Sequence, residues 1–221
     1  MYPGVGPTSA TGLRRPARAT VSALGPDSSV TMSWALTRDE TTVGASGEVR
    51  LTDPYAGSFQ GRFVFRGNGL SFVPERTVNG TFLLLRHDVA LAPGSEVRVG
   101  RQLLRFDLQP ARPPAPEMLW GSPNPGYRFR IQQILTGGID GDSFPLHEGD
   151  NMVGRAAGDL SFPGDGYVSS RHAMLTVRGD QVLLKDLGSS NGTFIRMDVE
   201  TGISPGDLLL VGEQLLRVDT V

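Results

Sequence analysis

The sequence predicts an all-β chain built as two β-sandwich domains in tandem, and three observations carry that expectation. Short segments of alternating apolar residues recur along most of the chain, a stretch of 29 residues occurs twice, and a proline-rich run stands between the two copies. A length of 221 residues suits two ordinary domains, each able to bury a core. With 29 Gly and 16 Pro, the composition favours turn-rich β structure over helices.

Residues 1–17 (MYPGVGPTSATGLRRPA) are rich in Gly, Pro and Ser and carry no pattern, which predicts a flexible arm. No apolar run follows Arg14 and Arg15, so this arm is not expected to be a secretory signal. From Arg18 onward, ATVSAL, VTMSWAL and RFVFRGNGLSFV read as strands separated by turn chemistry, and a first domain is expected over 18–108. The run 109–126 (QPARPPAPEMLWGSPNPG) breaks the pattern. Its prolines remove amide donors and favour an extended, semi-rigid linker, with an SH3-type ligand as the other reading. Trp120 is expected to pin this run to a domain face. YRFRIQQIL, AMLTVRGDQVLLKDL and QLLRVD then resume the strand pattern, giving a second domain over 127–221.

The repeat makes the two domains copies of one another. Residues 79–107 and 191–219 align without a gap at an offset of 112, with 13 of 29 positions identical, among them Asn-Gly-Thr-Phe, Pro-Gly, Val-Gly and Gln-Leu-Leu-Arg. Upstream, TVGASGEV lies against MVGRAAGDL and FRGNGLSF against VRGDQVLL, with small gaps. A unit of about 90 residues fits a sandwich and is too long for a solenoid repeat.

Composition narrows the chemistry. Residues 127–221 hold 8 Lys and Arg against 13 Asp and Glu, a poor balance for a nucleic-acid surface, although one anionic group can still bind where local donors decide. No apolar run approaches the roughly 18 residues of a membrane span. The absence of Cys removes disulfides, thiolate ligands and a thiol nucleophile, and is compatible with a reducing cytoplasm. His87 and His147 show no metal-ligand spacing, so neither a metal nor a cofactor is expected. No GxxxxGK[ST], HExxH or GxSxG occurs.

Three polar clusters in 151–195 each sit beside glycine, where a turning chain exposes N–H groups: Gly154-Arg155, Ser169-Ser170-Arg171-His172, and Ser189-Ser190-Asn191-Gly192-Thr193. A guanidinium, hydroxyls and a carboxamide gathered at one end of a sheet would form an anion site. Ser169 or Ser170 with His172, and Asp186 in reserve, also permits a hydrolase triad, the less favoured reading of the same residues.

Together, Gly-Arg, Ser-x-x-His and Ser-x-Asn-Gly-Thr resemble the forkhead-associated (FHA) domain over about 127–219. The resemblance implies a two-sheet sandwich whose loops at one end bind phosphothreonine in extended peptides. It implies that Arg155 binds the phosphate, that Ser169 donates its hydroxyl and backbone N–H to it, and that Ser190 reaches it. Asn191 would pair with the peptide backbone. Ser170 stands where relatives often carry a longer basic or amide side chain. Gly154, His172, Gly192 and Thr193 are implied as loop scaffold. The first copy places Ala45 against Arg155, Gly61 against His172 and Val78 against Ser190, and retains Ser58 and Asn79, so 18–108 is expected to be a degenerate sandwich that does not bind phosphothreonine in the ordinary way. The expectation is a non-enzymatic phosphothreonine-binding adaptor of a bacterial cytoplasm, with a phospho-independent scaffold as the alternative and no nucleic-acid or membrane partner.

Overall fold

The computed structural model describes residues 17–110, 117, 120–123 and 125–220. The predicted arm lies outside the described residues except for Ala17, as does most of the PARPPAP run. Trp120 is described and is fully solvent-exposed, so it pins nothing.

All twenty regular elements among the described residues are strands. The first copy contributes β1 (Ala19–Leu24), β2 (Val30–Leu36), β3 (Glu40–Gly44), β4 (Val49–Arg50), β5 (Gly61–Arg66), β6 (Gly69–Pro74), β7 (Thr81–Leu84), β8 (Val89–Ala90), β9 (Glu96–Val99) and β10 (Gln102–Leu108). The second contributes β11 (Phe129–Leu135), β12 (Ile139–Leu146), β13 (Gly149–Gly154), β14 (Leu160–Ser161), β15 (Ala173–Arg178), β16 (Gln181–Asp186), β17 (Thr193–Arg196), β18 (Thr201–Ile203), β19 (Leu208–Val211) and β20 (Gln214–Thr220). The Gly-Asn and Gly-Asp signals act as read: Gly67-Asn68 and Gly179-Asp180 close two-residue hairpins between β5 and β6 and between β15 and β16. Period-two alternation turns Ala173, Leu175 and Val177 of β15 into a core and leaves their neighbours half-exposed.

The strands form one ten-stranded sheet, β12-β11-β10-β9-β17-β7-β19-β20-β1-β2, and two five-stranded sheets, β14-β13-β15-β16-β8 and β18-β6-β5-β3-β4. Two separate cores result. One takes Leu91, Val97, Val99, Leu104 and Phe106 from the first copy and packs them with Phe129, Ile131, Leu160, Leu175 and Leu184 of the second. The other packs Val21, Leu36, Phe63 and Phe72 of the first copy with Ile203, Leu209, Val211, Leu216 and Val218 of the second.

The expected division into 18–108 and 127–221 therefore does not describe the packing. The copies exchange their C-terminal strands: β8–β10 complete the sandwich of the second copy, and β18–β20 that of the first. The ten-stranded sheet has a pseudo-twofold axis where β7 meets β17, with Leu83 paired to Ile195, its own repeat counterpart at an offset of 112. In this arrangement β10 lies against β11, the next strand in the chain, as sequential strands commonly do.

Candidate functional site

The three polar clusters converge at one end of the second sandwich. The Arg155 loop follows β13, Ser169 to His172 lie in the loop between β14 and β15, and Ser189 to Gly192 join β16 to β17. Backbone bonds first tie the loops together: Arg155 N–H donates to Ser169 C=O at 3.0 Å, and His172 N–H to Val153 C=O at 2.9 Å. Gly154 is required by close approach, since a Cβ there would run into the carbonyl oxygens of Ser170 and Ala157. Gly192 adopts φ +78°, a left-handed angle that disfavours side chains.

His172 is fully buried and uses both ring nitrogens. Nδ1 accepts the Ser169 N–H at 3.1 Å, which leaves the proton on Nε2 to donate to Gly192 C=O at 3.1 Å. Burial pushes its pKa below the ordinary histidine value against the raising influence of Gly192 C=O and of Asp186 and Asp165. The ring is a neutral strut between two loops. It makes no hydrogen bond to a serine hydroxyl, so the triad reading lacks its central contact.

Ser169 differs from expectation in one respect. Its N–H is consumed by His172 and is not free for a ligand. Its Oγ accepts the Ser190 N–H at 3.1 Å, which leaves the hydroxyl proton to donate to a further acceptor. Asn191 donates through Nδ2 to Tyr167 C=O at 2.8 Å, which fixes the carboxamide and leaves Oδ1 as its acceptor. Arg155, Ser170, Arg171 and Ser190 are exposed, and the Arg155 guanidinium forms no ion pair within 4 Å among the described residues.

Asp186 proves to be a further brace. Its carboxylate accepts Gly188 N–H and Ser189 N–H at 2.9 Å, and Ser189 Oγ–H and Thr193 Oγ1–H at 2.7 Å. Burial pushes this carboxyl up, yet the bonds from Thr193, Ser189 and Gly188 together hold it below the ordinary range. Its place at the end of a strand, two residues before Gly188-Ser189-Ser190, was the available sequence signal, an Asx-type turn.

Matching hydrogen bonds align the first copy more securely than sequence. Ala45 N–H donates to Gly57 C=O as Arg155 does to Ser169, and Gln60 N–H donates to Val43 C=O as His172 does to Val153. Gly57, not Ser58, thus stands opposite Ser169, and Gln60, not Gly61, opposite His172. Gln60 is fully buried, and its Nε2 donates to Gly80 C=O at 3.4 Å, the counterpart of the bond from His172 to Gly192. Asn79 repeats the Asn191 bond, to Tyr55 C=O at 2.8 Å. The scaffold is common to both copies, while Arg155, Ser169, Arg171 and Ser190 become Ala45, Gly57, Phe59 and Val78.

Residues 151–212 match the family model of the FHA domain. The chain carries an FHA domain. Similar proteins include the FHA domain-containing protein FhaB of Mycobacterium tuberculosis, 34% identical over 86 residues, which cover 38% of this chain and 56% of that protein. FhaB of Mycolicibacterium smegmatis is 34% identical over 84 residues, 37% of this chain and 54% of that one. The chain thus spans about half the length of the curated relatives it matches. Among solved structures, one from a structural and functional analysis of phosphothreonine-dependent FHA domain interactions is 30% identical, covering 39% of this chain and 88% of the other with a TM-score of 0.25. All the described regular structure is β, as the fold class predicted, and among the described residues no helix is long and apolar enough to cross a membrane.

Proposed function

We propose that this protein is a phosphothreonine-dependent adaptor in bacterial Ser/Thr-kinase signalling, binding its partner through the FHA domain of the second copy. Arg155, Ser169, Ser170, Ser190 and Asn191 form the ligand face in this reading. The observation that supports it most is the convergence of the exposed Arg155 guanidinium, in no ion pair, with the Ser169 hydroxyl on a loop scaffold locked by His172 and Asp186. A planar guanidinium and hydroxyl donors match phosphate oxygens. Selection of threonine over serine rests on burying one methyl group, worth about 0.8 kcal/mol. The adaptor is non-catalytic and acts in the cytoplasm, a placement consistent with the absence of Cys.

The decisive experiment is binding of phosphorylated and unphosphorylated threonine peptides to the full chain. Arg155→Ala is expected to weaken phosphopeptide binding by at least about tenfold, as loss of a charge-assisted bond of about 1.5–3 kcal/mol requires. Its melting temperature should stay unchanged, because the side chain holds nothing in place. Equal affinity for the two peptides would refute the proposal.

A second reading, phospho-independent docking, is favoured by the first sandwich, whose corresponding loops expose Tyr55, Phe59 and Val78. Partners captured unchanged from phosphatase-treated lysate would support that reading.

A further inference from the structure

The turn between β9 and β10 belongs to the first copy but packs on the ligand loops of the second. Gly100 lies so close to the Tyr167–Val168 backbone that a Cβ would stand 2.8 Å from Val168 Cγ2 and 3.0 Å from Tyr167 C. Arg101 N–H and Gln102 Nε2–H donate to Asp165 Oδ2 at 2.8 and 2.7 Å, while Tyr167 N–H takes Asp165 Oδ1 at 2.9 Å. The Arg101 side chain then turns outward, its Cζ 4.6 Å from the centre of the Tyr167 ring. Tyr167 is half-exposed, and its carbonyl is the one that holds the Asn191 carboxamide. Asp142 and Asp165 line the same shallow groove, and Asp165 is the carboxylate that Arg101 acts on electrostatically. An exposed guanidinium, stacked on Tyr167 and within electrostatic reach of Asp165, therefore stands next to the proposed ligand face, delivered by the other repeat.

The exchange decides the sign of this charge. At the pseudosymmetric position Glu213 N–H donates to Asp53 Oδ2 at 3.0 Å, so closure of each copy on its own hairpin would put Glu213 beside Tyr167. The swapped segments differ in the same sense. Residues 89–108 carry three arginines and two carboxylates, whereas 201–220 carry one arginine and three carboxylates. A carboxylate beside Asp165 and Asp142 would repel an anionic peptide; Arg101 attracts one.

We propose that Arg101 is a specificity-determining residue of the FHA ligand face, contacting an acidic side chain of the partner in the segment that crosses Tyr167 next to the phosphothreonine. This rests on the phosphothreonine-binding reading, and its failure can be told apart from failure of that reading. The test is fluorescence anisotropy on the full chain with phosphothreonine peptides that carry glutamate or alanine at each flanking position in turn. The wild type should prefer glutamate at one or more positions on one side of the phosphothreonine by about two- to fivefold, the range of exposed charge pairs. Arg101→Gln should remove that preference, so that it binds the glutamate and alanine phosphopeptides alike, Arg101→Lys should retain it, and Arg101→Glu should reverse it. The Arg101 backbone N–H bond to Asp165 survives all three substitutions, so each variant should fold, which its melting curve checks. A glutamate preference that survives in Arg101→Gln, or no preference in the wild type, overturns the role of Arg101. Loss of all phospho-dependent binding in the wild type would instead overturn the function itself.

Discussion

His172 and Gln60 show how one buried position can be filled by different chemistry. Each reaches the carbonyl of the glycine in Asn-Gly-Thr, across 3.1 Å from His172 and 3.4 Å from Gln60. The histidine adds an acceptor for Ser169 N–H, and that acceptor exists only while the ring is neutral. Protonation would set an Nδ1–H against the Ser169 N–H. The folded pKa lies below the ordinary 6.5, so the unfolded chain takes up this proton first as pH falls. His172 thus contributes stability that is complete above its unfolded pKa and lost as pH drops through that value towards the folded one. Lowering the pH from about 7.5 to 5.5 should depress the wild-type melting temperature more than that of His172→Gln. The raised pKa of His147 acts in the opposite direction in both proteins and cancels in the comparison. Identical slopes would remove His172 from the account. The residues of this site were legible by type and spacing, but the consumption of Ser169 N–H was not, since it depends on where a buried ring nitrogen ends up.

At the scale of elements, the starts of β7 and β17 carry equivalent threonines with opposite fates. Thr193 donates its hydroxyl to Asp186, whereas Pro74 occupies the corresponding place in the first copy, and the buried Thr81 Oγ1 has no partner. Thr81→Val should therefore raise stability by about 1 kcal/mol, because an unsatisfied buried hydroxyl is removed. Thr193→Val should lower it by about 1–2 kcal/mol through loss of a bond to a charged acceptor. Urea titration of the two variants measures both signs, and equal effects would contradict the asymmetry. Strand identity at this scale followed from alternation and turn residues. The register of the copies upstream of Asn79 did not, because a short gap near Ala45 shifts Gly57 and Gln60 by one position, and only the shared hydrogen bonds fix it.

At the scale of the whole molecule, neither sandwich is made from one copy alone. Each core needs Leu, Val or Phe side chains from the other copy's C-terminal strands, and the two halves are interlocked through β7 and β17. Cutting an engineered protease site between residues 110 and 117 is expected to leave one species at the elution volume of the intact chain. Two half-size species in native buffer would show that each copy closes on itself. Binding tests on 127–221 alone would accordingly examine a different object, in which Arg101 is missing and β8–β10 are unavailable.

The sequence by itself determined the β class, the duplication, the turn positions and the set of side chains gathered at the ligand face, because those follow from local periodicity and from motif spacing. Tertiary structure alone decided which hairpin closes which sandwich. Pro-Gly, Val-Gly and Gln-Leu-Leu-Arg are the same in β9–β10 and β19–β20, so either hairpin satisfies the same apolar positions and local preference cannot choose between them. In the folded chain β10 lies against β11, and with that pairing Arg101 rather than Glu213 comes to stand beside Tyr167.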